Sequence, residues 1–278
     1  MTATVRRERV SRVKWKLLAA VAFSLAAVGF SFLVRSARNA ACEMSCRNTF
    51  KSIGLALLNY NDSFKTLPPA VTQDDAGNPK HSWRPLILNY VEAMPPIYEK
   101  DDAWDGPQNV RLINGHIFHF DKPPERTKGI GPYHGPLDFA QWFHCCAHKS
   151  TLEYSANVVA VVGDETLWPG TATRSLANIP DGAGATILLA ETRDLDIYWS
   201  QPKDLAFDDM SFEINSPTRP SISSHHASGP SIVMADCSTY RLSPQTPADI
   251  VRSLLTYDGN ERYTIEDLVG DGYLIPDR

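Results

Sequence analysis

The chain has 278 residues, 43% hydrophobic and 21% charged, a composition that belongs to a folded globular protein and argues against extensive disorder. Its formal net charge of −5 is unevenly spread: residues 1–38 hold eight Lys/Arg and one Glu, whereas residues 39–278 hold 19 basic and 31 acidic side chains. An acidic body of this kind repels phosphate backbones instead of neutralising them, so nucleic acid is not an expected partner.

Residues 1–16 form a basic segment carrying Arg6, Arg7, Arg9, Arg12, Lys14 and Lys16. Residues 17–34, LLAAVAFSLAAVGFSFLV, carry no charge. As a helix they span about 27 Å, just enough to cross a bilayer. Only Arg35 and Arg38 follow before neutral sequence resumes. The positive-inside bias therefore puts the N-terminus in the cytoplasm and the body outside the inner membrane, as a single-pass protein contacting lipid through residues 17–34. The apolar run exceeds a typical signal-peptide core and no A-x-A site follows it closely, which favours an uncleaved signal anchor.

All 20 prolines lie at or after Pro68. Because proline breaks helix interiors, the proline-free front predicts one long helix, continuing past the membrane as an extramembrane stalk over residues 35–65. In the stalk Phe50, Ile53, Leu57 and Tyr60 recur at three- and four-residue spacing, with Lys51 and Asn59 off the stripe, so this half is expected to lie against something.

Residues 66–278 read as an α+β domain. AVTQDDAGNPKHSWRPLILNYV places a Gly/Asn/Pro turn between two extended runs, SANVVAVVGDETLWPG contains a buried-type strand, and DGAGATILLAETRD holds another. Late in the chain TPADIVRSLLTYDGNE reads as a helix with Thr246 at the N-cap, Pro247 at N1 and Asp249 at N3. The expected fold class is α+β, a pilin-like long N-terminal helix (membrane span plus stalk) packed on an antiparallel β-sheet domain.

Chemistry-bearing clusters are few. WFHCCAHK brings together His144, Cys145, Cys146 and His148, but zinc sites want two separated ligand pairs and neighbouring cysteines suit one tetrahedral ion poorly, so no metal or other cofactor is expected. The carboxylate groups at Asp74-Asp75, Asp101-Asp102 with Asp105, and Asp208-Asp209 read as solvated turns, and DDAWDG lacks the ligand spacing of a calcium loop. Trp83, Trp104, Trp142, Trp168 and Trp199 read as core before they read as a ligand groove. The chain has no G-x-S-x-G, P-loop, G-x-G-x-x-G or H-E-x-x-H, and no catalytic residue is predicted.

Several blocks, in order, carry a family resemblance: CRNTFKSIGLALLNYNDSFKTLPPA, HSWRPLILNYVEAMPPIYEKDDAWDGPQN, YSANVVAVVGDETLWPG, NIPDGAGATILLAETRD, YWSQPKDL and SSHHASGPSIVMADCSTYRLS. Over roughly Cys46 to Thr256 the chain resembles the planctomycete domain-of-unknown-function family 1559. That family is also labelled solute-binding family 10, or prepilin-type proteins with a His-x9-Asp-Gly motif. The resemblance implies a front end similar to type II secretion pseudopilins, and it implies no reaction. The motif falls on His226 and Asp236, with Cys237 where the family has glycine. Typical members begin with Gly-Phe-Thr-Leu-x-Glu, whereas this chain reads RVKWKLLAAVAF and has no acidic residue between Glu8 and Glu43. It thus departs from the pattern that prepilin peptidase cuts, and lacks the glutamate thought to pair with a neighbouring subunit's amino terminus. A stationary anchor is favoured over a filament subunit.

The resemblance bears on two local structures. The family has a cysteine near Cys145 and Cys146, and Cys46 lies in the stalk, so outside the reducing cytoplasm a Cys46–Cys145 or a Cys46–Cys146 disulfide is expected. Cys42 and Cys46, one helical turn apart, are poorly placed to bond each other. Asp-Gly in the family fits a type I′ hairpin turn. Here a two-residue Asp236-Cys237 loop would pair Ala235 with Ser238, Met234 with Thr239 and Val233 with Tyr240. Cysteine in that turn costs roughly 1–2 kcal/mol if positive φ is kept, so glycine at 237 is expected to stabilise. His226 would then lie about 20 Å along the strand from Asp236, which favours a ring bonded to loop backbone or a carboxylate over a metal or acid–base site of His225, His226 and Asp236.

The function expected from all this is non-catalytic: a membrane-anchored, pseudopilin-like structural or interaction protein, with protein partners or self-association. An extracytoplasmic solute- or glycan-binding module is the alternative.

Overall fold

A computed structural model describes residues 3–91, 98–110, 142–150, 152, 155–259 and 263–276. The chain divides into two compact units, Met1–Met44 and Ser45–Arg278. Helix α1 (Ala3–Phe64) accounts for the described part of the first. From Ala20 onward it is long and apolar enough to cross a membrane, and Phe23, Leu25, Phe30 and Phe32 are 68–76% exposed. Two serines of this stretch bond within the helix: Ser24 Oγ donates to Ala20 O at 2.9 Å and Ser31 Oγ to Ala27 O at 2.8 Å.

The second unit opens with the last five turns of α1, and here one face is buried. Cys46, Phe50, Ile53, Ala56 and Leu57 are at most 1% exposed, and Lys51 and Asn59 face solvent. The predicted stripe is therefore a core stripe, with Tyr60 half-buried at its end. Gly54 explains how closely the helix approaches the sheet, because a Cβ there would meet Val233 Cγ2 at 3.0 Å and Cys237 Sγ at 3.1 Å. Beyond Phe64 the helix stops at Lys65, whose positive φ of 65° and N–H bond to Asn61 O form a left-handed C-cap.

The main sheet has five antiparallel strands in the order β11-β10-β9-β6-β4. These are β4 (Val158–Val159), β6 (Ile187–Glu191), β9 (Ser231–Met234), β10 (Thr239–Leu242) and β11 (Leu274–Pro276). Every residue of β6 and β9 is buried, as in a central strand covered on both faces. Val233 meets α1, so by the two-residue period of a strand Ile232 and Met234 face the other layer. Smaller pairs surround the sheet: β1 (Val71–Gln73) with β2 (Pro79–Ser82), β3 (Ser155–Ala156) with β7 (Ile197–Tyr198), and the parallel pair β5 (Val161–Val162) with β8 (Leu205–Ala206). This is a mixed α+β fold, a long N-terminal helix packed on antiparallel sheet.

Aromatic rings fill the space between. Trp83, Trp168 and Trp199 are at most 2% exposed; Trp83 lies 5.5 Å from Trp168 and 5.8 Å from Phe143, which stacks on Trp199 at 6.1 Å. Arg84 is buried beside them, with Nη2 2.6 Å from Asp204 Oδ1 and 2.9 Å from Val158 O. Burial pushes the arginine pKa down and the carboxyl up, and each is held in its charged form by the other.

The turn between two extended runs stands as β1 and β2, with the second run ending at Ser82: α2 (Trp83–Leu86) starts there, because Ser82 Oγ accepts from Arg84 N and Pro85 falls in the first turn, where no N–H is needed. Two local expectations are corrected. The late helix, α3 (Ala248–Leu255), begins one residue further on, with Pro247 at its N-cap. The Thr246 hydroxyl makes no cap bond and points instead to Ser243 O at 2.8 Å and Tyr273 O at 3.1 Å. The β9–β10 hairpin is also shifted by one residue, pairing Val233 with Thr239, Ile232 with Tyr240 and Ser231 with Arg241. Its loop has three residues. Cys237 N–H donates to Met234 O at 2.9 Å and Met234 N–H to Ser238 O at 2.8 Å, and Cys237 alone of the loop residues has positive φ, 66°. A three-residue loop ending in one left-handed residue needs a single positive φ where a type I′ turn needs two, so it is the less costly choice for a sequence without glycine here.

Candidate functional site

The described residues place His226 at the meeting of four segments. The loop before β9 reaches that point through hydroxyl and carboxylate bonds: Ser221 Oγ and Ser223 Oγ both donate to Asp194 Oδ2, at 3.0 and 2.8 Å, and Thr192 Oγ1 donates to Ser221 O. Ser224 Oγ then donates to Glu191 Oε1 at 2.7 Å and accepts from His226 N at 3.1 Å. Gly229 lets the chain turn from this loop into β9, since its φ is 97° and a Cβ would collide with Leu242 O.

At the centre α1 supplies Cys46, bonded to Cys145 across a sequence separation of 99 with Cα atoms 4.9 Å apart. Both cysteines are at most 1% exposed. His226 Nε2 lies 3.2 Å from Cys145 Sγ and 3.4 Å from Cys46 Sγ. Cys146 and Cys42 are disulfide-bonded too, and Cys146 Sγ, on the solvent side, lies 3.6 Å from Cys46 Sγ. Asn157 Oδ1 fixes the double-cysteine segment by accepting from Cys145 N at 2.7 Å. Cys237 is the free thiol, and burial pushes it up to about 11, which keeps it protonated and unreactive at neutral pH.

Glu191 ends the central strand β6 and lies beside these groups. One of its oxygens lies within 4.8 Å of both Cys145 Sγ and a His226 ring nitrogen. It also accepts from Ser231 N at 3.0 Å. Burial pushes its carboxyl up to about 7, against the hydrogen bonds from Ser231 and Ser224, which pull it down.

The structure separates the two ends of the sequence motif. Asp236 is exposed in the hairpin loop, where Oδ1 accepts from Ser238 N at 2.8 Å, while His226 is buried among sulfurs. His226 Nε2 faces a pair of disulfide sulfurs, because the helix and the double-cysteine segment converge on the loop. In WFHCCAHK the two histidines stack edge-to-face, 5.3 Å between centroids. Burial, with His144 nearby, pushes His148 down to about 4. The carboxylate groups behave as turns, Asp74 Oδ1 accepting from Ala76 N and Asn78 N and Asp102 from Gln108 N. Sequence reasoning missed Glu191. Its only signal was a carboxylate closing an otherwise apolar strand.

Residues 35–216 match the protein family described as Protein of unknown function (DUF1559). No curated protein and no solved structure matches the chain.

Proposed function

From the premise that this chain belongs to that family, we propose that it is a single-pass, pseudopilin-like inner-membrane protein that holds its α+β domain outside the membrane for structural or interaction work, without catalysis. The observation that carries this reading is the change of character along α1: exposed apolar side chains around Phe23–Phe32, then a one-sided core stripe from Cys46 to Leu57. The first pattern suits lipid and the second suits a sheet. A covalent bond between the stripe and the double-cysteine segment supports an oxidising location for the domain. Three of the five tryptophans that would give a glycan-binding module its platform, Trp83, Trp168 and Trp199, fill the core instead, and Trp104 and Trp142 are half-buried, which favours the structural reading over that alternative.

Membranes from cells expressing the tagged full-length chain test it. Retention after alkaline carbonate extraction, with the body digested by protease added from outside and residues 1–16 protected, is the expected result. Release by carbonate, or a mature N-terminus downstream of Val34, would overturn it.

A further inference from the structure

Three cysteine sulfurs and a histidine nitrogen gather where the helix, the double-cysteine segment and the loop converge, with Cys146 on the solvent side of the other three. Around a zinc ion with ordinary bond lengths, a tetrahedral thiolate–imidazole set has sulfur–nitrogen edges of about 3.6 Å and sulfur–sulfur edges of about 3.8 Å. His226 Nε2 is 3.2 and 3.4 Å from the two bridged sulfurs, and Cys146 Sγ is 3.6 Å from Cys46 Sγ. The three sulfurs all lie within 4.8 Å of one another. Only the Cys46–Cys145 pair is closer than an ion would allow, because those atoms are bonded.

On its Nε2 side the imidazole faces two cysteine sulfurs, which are weak hydrogen-bond acceptors. Aimed at a metal ion held by thiolates, the same nitrogen would be a strong ligand. A carboxylate belongs beside such a histidine, and Glu191 is there, within 4.8 Å of it and itself fixed by Ser224 and Ser231.

We propose that the reduced chain binds a thiophilic divalent ion, Zn2+ or its spectroscopic stand-in Co2+, through Cys46, Cys145, Cys146 and His226, so that the same donors make either a disulfide clasp or a metal site. Each disulfide takes two electrons and two protons from a dithiol, which leaves as its own disulfide. The freed thiols release their protons to solvent as they bind the ion. The metal form then ties the stalk helix, the double-cysteine segment and the loop before β9 at the same point as the clasp. This site differs from the one that spacing in the sequence suggested: His144 and His148 are replaced by a helix cysteine and a histidine 81 residues from Cys145. It does not depend on the membrane role.

The full-length protein in detergent, reduced under argon with a phosphine that is then removed, is titrated with Co2+. Thiolate-to-metal charge transfer in the near ultraviolet and the intense visible bands of a tetrahedral ion are expected, saturating at one equivalent and bleached by Zn2+. His226→Gln should keep the charge transfer, shift the visible bands and weaken binding by at least the roughly 10–100-fold that loss of a supporting partner costs at metal sites. Since cysteine variants risk misfolding, ligand identity is read in the wild type by alkylation: Zn2+ should protect Cys46, Cys145 and Cys146 and leave Cys237 unchanged. Absence of a tetrahedral spectrum, unaltered binding by His226→Gln, or equal alkylation with and without Zn2+ would each overturn the proposal.

Discussion

The two halves of α1 are built from the same helix-forming residues and carry their apolar surface in different ways. Around Phe23–Phe32 it runs all the way round, and the large side chains are more than two-thirds exposed. From Cys46 to Leu57 it occupies one stripe that is almost wholly buried, opposite Lys51 and Asn59. Helix propensity is common to both and cannot be what distinguishes them. The arrangement of apolar side chains decides which solvent each half suits, hydrocarbon for a helix greasy on every side and a protein layer for a helix greasy on one.

The sharpest break of that comparison is a matched truncation in each half. Phe50→Ala removes a ring that is 0% exposed in the core and is expected to destabilise the body by about 3–5 kcal/mol. Phe30→Ala is expected to leave the body's unfolding within about 0.5 kcal/mol of wild type. Chemical denaturation in detergent measures both; a large loss from Phe30→Ala would mean that the front half is part of the folded core after all.

Next in size is the covalent tie in the buried half. Cys145→Ser breaks the bond to Cys46, but Cys146, the next residue, stays disulfide-bonded, so the expected loss lies toward the lower end of the roughly 2–5 kcal/mol that removing a lone disulfide costs. It also leaves Cys46 and His226 in a buried site designed around a partner. Unfolding of the oxidised variant checks this, and an unchanged midpoint would show that the helix stripe holds without its clasp.

Glu191 gives a smaller, pH-dependent effect behind the same site. Its carboxyl is raised by burial to about 7, so the folded chain holds a proton there that the unfolded chain releases near the ordinary value of 4.5. Linkage then makes this contribution to stability greatest below about pH 4.5 and progressively lost as pH rises to about 7, on the order of 3 kcal/mol in all. Glu191→Gln keeps the shape and removes the titration. Its melting temperature should vary less between pH 5 and 8 than that of the wild type; parallel profiles would show that Glu191 is ionised throughout.

Periodicity made the helix legible, including which face of the stalk is buried, since Phe50, Ile53 and Leu57 mark it at local spacing. The strands over 187–191 and 231–242 were legible as apolar and β-branched runs bounded by turn residues. What escaped was whatever two distant segments decide jointly. His226 approaches Cys46 across 180 residues, and no spacing rule covers that distance. Thr246 has the right side chain for an N-cap, but the helix starts one residue later and the threonine hydroxyl turns to Ser243 O and to Tyr273 O, 27 residues on. The hairpin register failed for a local reason instead: strand pattern alone does not choose between two- and three-residue loops when the glycine that would select one is missing.

That missing glycine supplies the smallest test, where the buried half of α1 meets the hairpin loop. Cys237 holds a φ of 66°, a conformation that costs a residue with a Cβ about 1 kcal/mol or more. Its half-buried sulfur also packs close to Gly54, so replacing it by glycine removes the strain and the packing together. Glycine adds backbone entropy to the unfolded chain as well, and the net change for Cys237→Gly should be within about 1 kcal/mol of zero. Cys237→Ala separates these effects, because it loses nearly the same packing while keeping the strained Cβ. Glycine should therefore be the more stable replacement by about 0.5–1 kcal/mol. If alanine equals or exceeds it, the loop is relieving that φ, and the closeness of helix and hairpin at Gly54 would have to rest on Val233 alone.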